Sequence, residues 1–334
     1  MTAPRDRRIL VTGATGYIGS RLTPRLVSEG YAVRVLTRAA ARVADREWSD
    51  QVEICEGDAT SDRVLAAACE GVDVAYYLLH SMDGSGDFVE RDRELARRFG
   101  LAAQKAGVGR IVYLSGLHPE GELSDHLASR VEVGHLLMAS GVPTAVLQAA
   151  VIVGSGSASF EMLRHLTHRL PVMLTPKWLD NRIQPIAVAD VLDLLVAAAD
   201  LPGEVNREFD VGGPDVLTYR QMIEVFADVA GLARRRIVTV PVLTPYLASH
   251  WVGLVTPVPA GVAKPLVGSL LHEVVAGEDD LGAFAGRPRP TLLGFREAVE
   301  RALAGDGGQR PEPGTVEPGR LTAADPDWAG DRGE

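Results

Sequence analysis

The stretch I-L-V-T-G-A-T-G-Y-I-G-S-R-L (residues 9–22) sets Gly13, Gly16 and Gly19 between an apolar run of strand length and an amphipathic segment. Glycines at this spacing allow a tight turn, let backbone N–H groups approach an anion, and let the helix pack closely on the strand; the helix N-terminus adds partial positive charge. The chemistry implied is the binding of a dinucleotide pyrophosphate, with Thr15, Tyr17 and Ile18 completing the cradle. A ligand-free glycine-rich turn is the competing reading.

Further along lie groups that suit the rest of such a ligand. The run V-R-V-L-T-R ends in Arg38, where an acid would be expected to hold the ribose hydroxyls of NAD. A guanidinium there can donate two hydrogen bonds in a fork to a 2′-phosphate, so NADP(H) is favoured and NAD(H) remains possible. Asp58 and Ala59 follow the third apolar run, where the aspartate could accept from an adenine amino group; an ordinary turn explains it as well. Leu78 and Leu79 end the fourth run, and His80 follows them. Ser115, at the end of the fifth run in V-Y-L-S, places a hydroxyl at the ligand crevice and is the leading catalytic candidate; His80 is a second, by the same positional logic. Capping or structural roles compete at both.

The elements that would position these groups read as β-α repeats. Strand-length runs at Ile9–Thr12, Ala32–Leu36, Val52–Ile54, Val72–Leu79, Arg110–Leu114 and Thr144–Leu147 alternate with helix-like stretches at Tyr17–Ser28, Ser61–Cys69, Asp87–Ala106 and Asp125–Ser140. That pattern is the signature of an α/β fold, a Rossmann-type doubly wound parallel sheet that binds ligands at the carboxyl ends of its strands. Later segments, from about residue 155, interleave with the core, so residues 1–235 are expected to form the dinucleotide-binding part. Residues 236–304 are expected to form a small, mainly helical C-terminal cap beside the substrate. From Gly305 on, seven glycines, four prolines and a net charge of −4 predict a disordered tail.

Taken together, G-A-T-G-Y-I-G, Gly57-Asp58, the strand-end Ser115 and Q-P-I-A-V-A-D-V (184–191) resemble the short-chain dehydrogenase/reductase superfamily. L-L-H-S-M-D-G-S-G-D-F (78–88), S-D-H-L-A-S-R (124–130), V-I-V-G-S-G-S-A-S-F-E (151–161) and F-D-V-G-G-P-D-V-L-T-Y (209–219) are similar to its atypical, NmrA-like and YbjT-type branch, and the likeness runs from about residue 7 to 300. The resemblance implies a Rossmann core, a nicotinamide cofactor and a small substrate region. It leaves the substrate open, because the branch holds reductases, isomerase-like enzymes and regulators without turnover. One departure is Gln148, where these proteins often carry arginine.

The superfamily's usual pair is Tyr-x-x-x-Lys, in which the lysine lowers the tyrosine's pKa for proton exchange. The chain has only Lys105, Lys177 and Lys264, preceded four residues earlier by Leu101, Met173 and Ala260, so the pair is absent. At the matching place stand His126 and Arg130. Arg130 stays charged and suits ribose hydroxyls or a substrate anion; His126, with a reference pKa near ~6.5, could exchange a proton. Both could instead be solvated helix residues.

Composition narrows the alternatives. The 334 residues carry a net charge of −10, which argues against a nucleic-acid partner. Cys55 and Cys69 are too few for a disulfide framework, and with no signal-peptide or membrane-spanning run a cytoplasmic location is expected. His165 and His168 lack a third ligand of known spacing, so no metal is expected. The resemblance implies that the segment carrying Trp178, Asn181 and Gln184 folds over the substrate side, with packing and turn roles competing; the apolar stretch 237–275 suits an apolar, quinone-like substrate or a partner surface, against ordinary cap packing. The expected function is hydride transfer to a small apolar acceptor. A non-catalytic NAD(P)H sensor with a protein partner is the alternative, and a nucleotide-sugar epimerase or dehydratase ranks last.

Overall fold

A computed structural model describes residues 7–80, 88–118, 123–240, 255–286, 291–304 and 310–330. Its central sheet is built from β1 (Arg8–Thr12), β2 (Ala32–Thr37), β3 (Val52–Glu56), β4 (Val74–Tyr77), β5 (Arg110–Gly116) and β6 (Thr144–Ala149). After them come β7 (Ile152–Val153), β8 (Val172–Thr175), β9 (Arg182–Ile183), β10 (Ile186–Ala187), β11 (Arg207–Val211), β12 (Leu217–Thr218) and β13 (Arg236–Thr239). The sheet has seven strands in the order β11-β6-β5-β4-β1-β2-β3, all parallel, so the order reverses beside β1, where such sheets open a crevice.

The helices are α1 (Tyr17–Ser28), α2 (Asp62–Cys69), α3 (Phe88–Ala106), α4 (Asp125–Met138), α5 (Ala158–Arg169), α6 (Val188–Ala198) and α7 (Tyr219–Val229). Three more follow: α8 (Ala260–Ser269), α9 (Leu281–Phe284) and α10 (Phe295–Leu303). Strand side chains alternate between the two faces. In β1, Ile9 and Val11 join Leu22 and Leu26 of α1 and Leu195 of α6 in one core. Leu10 faces the other way, toward Leu65 of α2, Phe99 of α3 and Leu137 of α4. A separate core gathers Phe160 and Leu163 of α5, Phe226 of α7, Val267 of α8 and Val299 of α10. Among the described residues no helix is long and apolar enough to cross a membrane.

The tail is where composition and structure part. Residues 310–330 are not loose but lie against α1, α5 and α10. Asp325 forms a bidentate ion pair with Arg21 of α1, at 2.9 and 2.6 Å, and the two side chains are 1 % and 2 % exposed. Arg21 also donates to the carbonyls of Ser155, Pro318 and Arg320. The fully buried Glu161 of α5 accepts from the N–H groups of Gly156 and Gly330, each at 2.9 Å. Low hydrophobicity makes burial of apolar surface a weak ordering force here. Matching a buried guanidinium with a carboxylate and carbonyls orders the tail in its place, because an unmatched buried charge is costly.

Candidate active site

The glycine turn follows directly from close packing. Gly13 has φ +71°, and a Cβ there would lie 2.5 Å from the carbonyl oxygen of Leu78. At Gly19 a Cβ would lie 2.2 Å from the Gly13 carbonyl, so the helix approaches the strand at a distance only glycine permits. Gly16 is different: a Cβ there would meet only the Gly13 oxygen, at 3.3 Å. No side chain caps α1, leaving its first-turn N–H groups to an outside acceptor. The buried Thr12 hydroxyl donates to the Tyr76 carbonyl and accepts from the Leu78 N–H, tying the ends of β1 and β4 together at the crevice. This donor set fits a pyrophosphate.

Outward from the turn, an open cleft of about 770 Å³ is lined by Arg38, Asp58, Ala59, Leu79 and His80, among others. Asp58 Oδ1 accepts from the Thr60 N–H at 2.8 Å, which holds the carboxyl below its usual range. The aspartate thus shapes its own turn as well as lining the cleft.

Inward, a second cavity of about 270 Å³ lies at the carboxyl ends of β5 and β6. Its polar groups include Tyr17, Ser115, His126 and Arg130; Ile18, Leu114, Met162, Ile183, Leu266 and Leu270 supply much of its apolar wall. Ser115 is 2 % exposed and its Oγ has no hydrogen-bond partner. Gln148 stands beside it in register across β5 and β6, 3 % exposed, with Nε2 also unpartnered. An orphaned hydroxyl lining a cavity suits a ligand that supplies the missing partner.

Ser124 caps α4 through its hydroxyl, accepting from the Leu127 N–H at 3.3 Å, and so fixes His126 in the first turn and Arg130 one turn on. Arg130 Nη2 donates to the Leu114 carbonyl at 2.5 Å, while its buried Nε has no partner. The His126 ring meets His80 edge to face, with centroids 4.7 Å apart. Burial first, then the charges of His80 and Arg130, push His126 down to about 3. It is therefore neutral near pH 7, whereas its position alone suggested ordinary imidazole titration. His80 is also lowered by burial, against the opposing effect of its bond to Asp92.

The structure brings Ser115, His126 and Arg130 to one cavity, with His80 packed on His126 from the cleft side; Arg38, Asp58, Ala59 and Leu79 line the open cleft, and Gly13 and Gly19 pack tightly at the end of β1. The segment expected on the substrate side lines the cavity through Ile183. Asn181 and Gln184 do something else. Asn181 donates to the Leu270 and Leu271 carbonyls, and Gln184 bonds the Gly213 carbonyl and the Ala276 N–H. They pin the cap over the cavity instead of facing it. The D-G-S-G stretch (83–86), whose glycines suit a loop that closes over a ligand, lies outside the described residues. Sequence reasoning missed Asp92, whose carboxylate meets His80; nothing in the acidic and basic run E-R-D-R-E-L singles it out.

A parallel sheet with an uncapped glycine-rich helix start at its switch point defines a dinucleotide-binding Rossmann protein. A family model described as NAD(P)H-binding matches residues 13–152. The (4-alkanoyl-5-oxo-2,5-dihydrofuran-3-yl)methyl phosphate reductase of Streptomyces griseus is 30% identical over 231 residues, covering 67% of this chain and 74% of that protein. Ceramide reductase of Caulobacter vibrioides is 28% identical over 239 residues, covering 70% and 73%. The 3 beta-hydroxysteroid dehydrogenase/Delta 5-->4-isomerase of Mycobacterium tuberculosis is 32% identical, but the match spans only 31% of its length. Among solved structures, the triphenylmethane reductase of Citrobacter sp. superposes with a TM-score of 0.69 at 19% identity, covering 89% of this chain and 99% of that one. The chain belongs to the atypical short-chain dehydrogenase/reductase family of NAD(P)H-binding, reductase-like proteins.

Proposed function

We propose that this protein is an NADP(H)-preferring reductase that moves a hydride to a small, largely apolar acceptor held in the inner cavity. The observation that carries the reading is that cavity: a mostly apolar enclosure of about 270 Å³ whose floor holds the orphaned Ser115 hydroxyl. A bound dihydronicotinamide would supply the hydride. The chain's own residues do the rest. The glycine turn and the α1 amides hold the pyrophosphate; Arg38 meets the 2′-phosphate; Arg130 faces the ribose or a substrate oxygen; Ser115 donates to the acceptor oxygen as negative charge develops there. Apolar walls from Met162, Leu266 and Leu270 exclude water and select acceptors with few polar groups. The reductase names of the Streptomyces and Caulobacter relatives support the reaction class.

The test is cofactor oxidation by the purified protein with NADPH or NADH and a panel of quinones, enones and aldehydes. Acceptor-dependent oxidation faster with NADPH, and lost in Ser115→Ala, is the expected result. Tight NADPH binding with no acceptor above background would overturn it in favour of the sensor reading, which the missing Tyr-x-x-x-Lys pair favours.

A further inference from the structure

Helix α3 buries Asp92, Ala96, Phe99, Gly100 and Ala103, a helical stripe facing the sheet. Asp92 is the one carboxylate in that stripe, 4 % exposed. A buried carboxylate persists where it is matched. His80 Nδ1–H donates to Asp92 Oδ2 at 3.1 Å, which fixes the ring so that Nε2 is the free nitrogen. That Nε2 is buried and has no partner. His80 lines the open cleft and His126 lines the inner cavity, and their rings are in contact. The two imidazoles thus span the wall between solvent and the reaction cavity.

Resting on the reductase reading above, we propose that Asp92 positions His80 as the proton reservoir of this site and that His126 relays its proton into the cavity, together replacing the missing tyrosine and lysine. The balance is simple. The hydride carries both electrons into the new C–H bond and the acceptor's π bond opens onto oxygen. His126 gives that oxygen the proton on one ring nitrogen while taking a proton from His80 Nε2 on the other, so it is neutral before and after; the two rings, in contact but not hydrogen-bonded, must turn to bring those nitrogens together. The His80 imidazolium becomes neutral imidazole, still bonded to Asp92, and regains its proton from the open cleft that the ring lines once it has turned its Nε2 edge outward. His126 held neutral at its site suits a relay and not a reservoir. Besides Asp92 of α3, the groups facing His80 are His126 and Arg130 of α4, and the Tyr77 and Tyr113 hydroxyls lie near the Asp92 carboxylate. Glu90 and Arg91 line the outer cleft.

Two readouts decide it, one independent of turnover. In ligand-free protein with ¹⁵N-labelled histidine, His80 should carry protons on both ring nitrogens below its titration midpoint and on Nδ1 alone above it, and that midpoint should fall in Asp92→Asn, since the carboxylate favours the charged ring. In the reaction, kcat should decline as pH rises through the His80 midpoint, and Asp92→Asn should move that decline to lower pH by the same amount. His80→Asn should lower kcat at pH 7 by about 10²–10⁴-fold. His126→Gln should lower kcat while leaving the His80 midpoint in place. An unchanged His80 titration in a folded Asp92→Asn protein overturns the positioning role, whether or not an acceptor has been found. If acceptors are reduced and His80→Asn keeps the wild-type kcat and pH profile, the relay falls while the reductase reading stands.

Discussion

The outer and inner ends of the ligand cleft use different physics. At the outer end Arg38 and Asp58 line an open cleft, where charge acts through a high dielectric and salt screens it. At the inner end Ser115 Oγ, Arg130 Nε and the neighbouring Gln148 Nε2 are all out of water and all without a partner. Such groups give little to stability but act strongly on a ligand, because the low local dielectric leaves their fields unscreened. On the proposed reading the outer end would tell cofactors apart and the inner end would change the reaction rate.

Disabling both ends at once should have the largest effect. In Gly19→Ala the new methyl would sit 2.2 Å from the Gly13 carbonyl oxygen, so α1 must move off the strand. NADPH affinity by calorimetry should drop at least about 100-fold, ~2.7 kcal/mol. Normal binding would mean that the turn does not hold the pyrophosphate. Ser115→Ala should separate the ends: kcat down about 10²-fold with the NADPH Kd within about twofold of wild type, as for loss of one donor to a developing oxyanion. If Kd weakens and kcat holds, the hydroxyl belongs to cofactor binding.

Arg38→Ala should weaken NADPH by about tenfold and leave NADH unchanged, a difference that shrinks as ionic strength rises. Equal loss for both cofactors would place Arg38 on a group they share, and no loss for either would place it on neither. The smallest effect on stability at neutral pH belongs to His126→Gln, whose signature appears only in acid. His126 titrates at about 3 in the folded chain and near ~6.5 unfolded, so the unfolded chain binds the proton first and stability is lost as pH falls through that window. Wild-type chemical denaturation should therefore lose up to about 1.4 kcal/mol per pH unit there. A His126→Gln protein with the same acid slope would show that another group carries it.

The outer end was legible in the sequence and the inner end only in part, for physical reasons. Gly13 and Gly19 are dictated by backbone contacts at the end of a strand, and Arg38 and Asp58 announce themselves by ending runs of strand residues. Ser115 was findable by the same rule. The partnership of His80, Asp92 and His126 joins three segments, and Asp92 is hidden among five other charged side chains in E-R-D-R-E-L-A-R. Strand β11 escaped because R-E-F-D-V reads as polar; Phe209 and Val211 face the core while Arg207 pairs with Glu278 and Asp280. The tail escaped because composition counts residues and not partners. Q-P-I-A-V-A-D-V serves packing, with Asp190 accepting from the Leu293 N–H at 2.9 Å.

The Arg21 to Asp325 pair also imposes an order on how the molecule is made. Its partners are 304 residues apart, one on α1 and the other in the stretch 310–330. A ribosome releases the guanidinium long before it has made the carboxylate, so α1, whose start forms the pyrophosphate cradle, waits through all of that synthesis for its covering segment. Contacts this distant are the last to form and the first absent from any prematurely terminated product. A chain that stops short of residue 325 keeps every glycine of the turn and still strands a cation in the interior.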